Sequence, residues 1–73
     1  MTMTLEERAA ALLQCRMSWP LAERCAAHLA KAGLPNISEE QAADVLAEHM
    51  PRERATGAAR DLAACGLAQG VSG

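Results

Sequence analysis

The chain writes nearly the same phrase twice: "HLAKAGL" at residues 28–34 and "DLAACGL" at 61–67. Each places leucine and alanine at helical spacing and then stops at Gly-Leu. Glycine supplies the left-handed residue that ends a helix, and the leucine after it can pack back on the last turn. Two such stops in one short chain predict two helices of one kind, each ending its own unit.

Working outward from these stops, sliding the sequence against itself by 33 residues lays "EERAAALLQCRM" (6–17) on "EEQAADVLAEHM" (39–50). The same shift lays "AERCAAHLAKAGL" (22–34) on "ATGAARDLAACGL" (55–67). Twelve positions are identical, among them Leu13/Leu46, Met17/Met50, Leu29/Leu62, Gly33/Gly66 and Leu34/Leu67. Composition alone gives roughly three over such a window. The sequence therefore predicts two tandem helical hairpins, 4–34 and 37–67, followed by a flexible tail at 68–73, all within a single domain, 1–73. Two repeats are too few for an open solenoid, which leaves both end faces uncovered. The expected architecture is all-α: a compact four-helix unit with approximate two-fold symmetry.

Local signals place the helix starts. Thr4 and Glu7 have the form of a capping box, and so do Ser38 and Gln41. "SWPL" opens the second helix, with Ser18 as N-cap and Pro20 in the first turn, where proline is tolerated. "MPRER" opens the fourth with Pro51 in the same role, although Thr56-Gly57 offers a later start. The apolar stripes are Leu5, Ala9, Leu12, Leu13 and Met17; Leu21, Cys25, His28 or Leu29, and Ala32; Ala42, Val45, Leu46 and Met50; and Ala55, Ala58, Leu62 and Cys65.

Composition narrows the function. The 73 residues hold no Phe or Tyr and one Trp, and strand formers are scarce. Seventeen Ala and nine Leu dominate the apolar half. Ala favours helix but brings little area to a core, so the helices must approach closely, or a homodimer must bury more surface. The net charge of −2 is no footprint of general nucleic-acid binding. Three cysteines, with Glu6 and Glu7 near the start in place of a basic, apolar leader, predict a reduced, cytoplasmic protein. No apolar run reaches the ~20 residues of a membrane span, so no membrane partner is expected.

No catalytic constellation, phosphate loop or nucleotide fingerprint is present, and the chain reads as a non-enzyme without a cofactor. Cys25 and His28 share a helix face at a spacing that zinc uses, but zinc needs four ligands as a rule; Cys15, Cys65 and His49 are not paired with them. No metal is expected, and the three Cys read as small core residues. Two turns stand out, "RMSWP" (16–20) and "HMPRER" (49–54), which hold the only Trp and the densest Arg. Trp and Arg are enriched at interface hot spots. Trp19 reads either as the sole aromatic core piece, packed at the junction of the first two helices, or as an interface residue, and Arg52 and Arg54 either as solvated turn charges or as contacts. On the interface reading Arg16, Trp19, Arg52 and Arg54 are the candidate partner-binding residues of a small regulatory or adaptor protein that binds another protein.

Two stretches carry resemblances. "LAEHMPRERATGAARDLAACGLA" (46–68) resembles the helix-turn-helix core of winged-helix regulators, which implies DNA contacts at Arg52, Arg54 and Arg60. "LLQCRMSWPLAERCAAHLAKAGLP" (12–35) is similar to the helical repeats of the RecX recombination regulators. The first supplies the alternative reading, a DNA-binding regulator that works through its second hairpin.

Overall fold

The computed structural model describes residues 2–69. It is all-helical: α1 (Leu5–Leu13), α2 (Trp19–Ala32), α3 (Glu39–Leu46) and α4 (Arg52–Ala64). There is no strand among the described residues, only an isolated parallel bridge between Ser38 and Gln69. α1 packs along α2 and α3 along α4; the two pairs meet through α2 against α3 and α1 against α4. The radius of gyration of 10.7 Å matches the ~11 Å of a compact chain this long.

The helices begin and end where local chemistry dictates. At Thr4 and Ser38 both halves of the capping box form: each hydroxyl accepts from the amide of the residue three on, and Glu7 and Gln41 accept from the cap amides. The Thr4 amide and hydroxyl hold the Glu7 carboxyl below its ordinary pKa, because those hydrogen bonds favour the charged form. Gly33 (φ 113°) and Gly66 (φ 77°) are left-handed. The Leu34 amide donates to the Leu29 carbonyl and the Leu67 amide to the Leu62 carbonyl, at 3.2 and 2.8 Å. That six-to-one bond is the Schellman closure, and in both places it brings the two leucines together.

At the other two starts the expected positions hold for α2, with Ser18 at the N-cap and Pro20 in the first turn, and not for α4. Ser18 occupies the N-cap of α2, but its side chain makes no capping bond. Pro51 is itself the N-cap of α4 rather than a first-turn residue. α4 begins at Arg52, so Thr56 and Gly57 lie inside it, with the Thr56 hydroxyl donating back to the Arg52 carbonyl at 2.9 Å.

The core is made of a few large residues set among alanines. Leu13, Leu29, Ile37, Leu46, Leu62 and Cys25 are its largest fully buried side chains. Ala9, Ala10, Ala22, Ala26, Ala42, Ala43, Ala55, Ala58 and Ala59 are all buried around them. The expected stripes were partly misplaced. Leu5, Ala32 and Cys65 are exposed, while Ala10, Ala22, Ala26, Ala43 and Ala59, outside those stripes, face inward. Methyl side chains let helix backbones approach, so the alanine faces, not the longest side chains, decide which side of each helix turns in. Of the cysteines only Cys25 is buried; Cys15 and Cys65 are exposed, which corrects the expectation of three core thiols.

The linker and the end of the chain are built in. Ile37 is 1% exposed. It precedes the cap Ser38, and Ala42 lies four residues into the α3 numbering from that cap, an arrangement in which a hydrophobic staple fixes the chain's entry. The Gln69 amide donates to the Ile37 carbonyl and the Glu39 amide to the Gln69 carbonyl, each at 2.8 Å. Ala68 is buried. The expected tail therefore holds its first two residues, 68 and 69, in place; residues 70–73 lie outside the described residues.

Candidate functional site

The α1–α2 and α3–α4 turns lie side by side. Between them opens a cleft lined by Cys15, Arg16, Met17 and Leu21 from one side and His49, Met50, Pro51 and Arg54 from the other. Its apolar lining is Met17, Leu21, Met50 and Pro51; its charges are two guanidinium groups. The turns converge because each follows a helix that ends early. The Gln14 and Ala47 amides, just past α1 and α3, still bond to the Ala10 and Ala43 carbonyls, and a few further residues carry the chain across to α2 and α4.

The two arginines in the cleft are differently engaged. Arg16 is tied to α4: its Nε donates to Asp61 Oδ2 at 2.9 Å, and a terminal nitrogen shares the same oxygen. Its guanidinium lies over Gly57, the one α4 position without a side chain, where an added Cβ would sit 3.5 Å from Arg16 Nη1. Both partners of this ion pair remain about half exposed, so it contributes little stability, on the order of 0–1 kcal/mol; it fixes the Arg16 side chain across the turn. Arg54 has no ion-pair partner among the described residues.

The remaining candidate residues lie elsewhere. Trp19 is 47% exposed and lines a separate, more open groove with Met3, Pro20 and Ala27, bordered by Glu6, Glu7 and Glu23. Arg52 pairs with Asp44 of α3. Arg60 is exposed on α4. Arg52 and Arg54 are two residues apart, about 200° around the helix, so Arg52, Arg54 and Arg60 do not make one basic stripe.

Around Cys25 and His28 the structure separates what the spacing joined. Burial pushes the Cys25 thiol up in pKa, with Arg24 a smaller opposing influence. His28 turns instead to α3's end. Its Nδ1 lies 3.2 Å from His49 Nε2, with the rings edge to face at a centroid separation of 5.4 Å. Among the described residues no group of three or more His, Cys, Asp or Glu side chains is arranged around a metal position. Sequence reasoning missed this pair because its members are 21 residues apart, one on α2 and the other in the turn after α3. It also missed Asp61 as the anchor of Arg16, 45 residues away.

Comparison with family models, curated proteins and solved structures finds no match to this chain. Among the described residues no helix is long and apolar enough to cross a membrane.

Proposed function

We propose that this is a small non-enzymatic adaptor or regulator that captures another protein in the cleft between its two turns. The observation that carries the reading is the meeting of the turns: an unpaired Arg54 and an anchored Arg16 stand over a floor of Met17, Leu21, Met50 and Pro51. Flexible methionines suit a surface that adapts to a partner. The matching partner is a peptide segment with a carboxylate beside an apolar side chain: the apolar group displaces water from the floor and the carboxylate bonds a guanidinium.

A tandem duplication accounts for the cleft. A shift of 33 relates Ala9 to Ala42, Ala10 to Ala43, Leu13 to Leu46, Ala22 to Ala55, Cys25 to Ala58, Ala26 to Ala59 and Leu29 to Leu62. All fourteen of these residues are buried. The same shift relates Ser18 to Pro51, both N-caps, and Gly33 to Gly66, both left-handed. It also relates Arg16, Met17 and Leu21 to His49, Met50 and Arg54. On this reading the cleft lies on an approximate two-fold axis between equivalent turns, where the two copies have diverged.

The test is binding. Arg54→Glu should abolish capture of an acidic-apolar partner, and Arg54→Ala should weaken it and slow association, with helicity by circular dichroism unchanged. Trp19→Ala, in the separate groove, should leave that binding intact. Loss of binding on Trp19→Ala alone would move the interface to the Trp19 groove. Binding to arbitrary duplex DNA with a steep salt dependence, lost on Arg54→Ala, would replace this reading with the DNA-binding one.

A further inference from the structure

We propose that His28 and His49 form a two-imidazole site for a divalent transition-metal ion of the zinc, nickel or cobalt class, bridging α2 and the end of α3. Two zinc–imidazole bonds of about 2.0–2.1 Å at a tetrahedral angle place their nitrogens about 3.3 Å apart. His28 Nδ1 and His49 Nε2 stand 3.2 Å apart. The 75° between the ring planes keeps the rings from stacking, so the two nitrogens approach each other without the ring faces in contact. The second nitrogen of His28 faces a carboxylate: Glu48 Oε2 is 3.8 Å from His28 Nε2. At that separation the carboxylate is a nearby negative charge, which favours a cation at the site, and not a hydrogen-bond partner.

With no metal the same nitrogens share a single N–H···N hydrogen bond, in which one ring donates and the other accepts. A metal ion takes the place of that proton and uses both lone pairs. His28 is 43% exposed and His49 lines the turn cleft, so water can reach the ion and complete its coordination. With no third ligand grouped with them among the described residues, the site is open and of moderate strength. Half the ligands of a closed four-ligand site give roughly half its binding free energy, hence a dissociation constant on the order of 1–100 µM. Such a site loses its ion during purification with chelator and refills from solution. The ion would cross-brace the two helical pairs where α2 meets α3.

Calorimetric titration with zinc chloride tests this, in a Cys15→Ser/Cys65→Ser background that removes the exposed thiols as competing ligands. The expected result is one ion per chain, a dissociation constant of roughly 1–100 µM, and a Tm that rises with zinc and returns with EDTA. His28→Gln and His49→Gln should each weaken binding about tenfold or more, and Glu48→Gln a few-fold. Should either His variant prove unfolded, proton NMR of the parent chain decides: both imidazole signal sets must shift together as zinc is added. No binding up to millimolar zinc, binding unchanged in both Gln variants, or zinc shifts that leave either imidazole unmoved would overturn the site.

Discussion

Leu13→Ala and Leu46→Ala should each remove a large part of the protein's stability, and by similar amounts. Both side chains are essentially inaccessible, at 1% and 0% exposure. The substitution deletes three carbons, worth about 2.4 kcal/mol at ~0.8 kcal/mol per buried carbon. An unrelaxed void of about 50 Å³ adds roughly 1 kcal/mol. Relaxation is limited here, because most neighbours are alanines, whose methyl groups have no rotamers with which to fill a hole. The expected loss is therefore about 3–3.5 kcal/mol. The whole chain is worth on the order of 4–11 kcal/mol, so the midpoint should fall by roughly 15–25 °C. Urea and thermal melts followed by circular dichroism measure this directly. A loss below about 1 kcal/mol for either variant would refute the core assignment. Two costs differing by more than about 1.5 kcal/mol would count against the equivalence of the two positions.

Three further outcomes are expected. Cys15 and Cys65 should react quickly with a thiol reagent while Cys25 reacts only as the protein unfolds; three fast thiols would show that α2 does not bury its inner face. Gly57→Ala should stabilise by about 0.5–1 kcal/mol, since alanine suits a helix interior and the new Cβ meets Arg16 at an ordinary 3.5 Å; destabilisation in a urea melt would mean that the guanidinium cannot share that space. The capping box at Thr4 should be acid-sensitive. The Glu7 pKa is lower in the folded chain, so its contribution is complete above the ordinary glutamate value of ~4.3 and is lost as pH falls through the folded value. The Thr4 amide shift, followed by NMR, should titrate with a midpoint below that ordinary value and stay flat in Glu7→Gln; a midpoint at or above it would contradict the hydrogen bond.

What could be read from the sequence was what is decided within four or five residues. The capping boxes at Thr4 and Ser38 and the stops at Gly33 and Gly66 depend on neighbours along one helix, and each stands where the pattern placed it. The inward face was harder. Leu5 and Cys65 extend their helix stripes on paper but sit near helix ends that no partner covers. Ala22 and Ala26 are small enough to be overlooked, yet both are fully buried. Ile37 left a usable trace, an apolar residue just before a cap with Ala42 beyond it. The site was legible only as two unusual turns. That Arg16 would find Asp61, that Arg52 would find Asp44 and that His28 would meet His49 depends on how whole helices pack, and no spacing along the chain encodes it. Trp19, grouped with the arginines by proximity in sequence, starts the next helix and points into a different groove.

The bonds from Gln69 to Ile37 and Glu39 have a consequence for how the molecule opens. They clasp the chain after α4 to the chain before α3, so residues 37–69 form a closed lasso. Among the described residues no equivalent clasp returns the end of α2 to the start of α1. In native-state hydrogen exchange the lasso is thus the natural cooperative unit, its clasp amides protected along with Leu46 and Leu62, while α1 can peel away at lower free energy. The α1–α2 pair is then the part that loosens first, and the order of loosening is written in two backbone hydrogen bonds rather than in the composition of either pair.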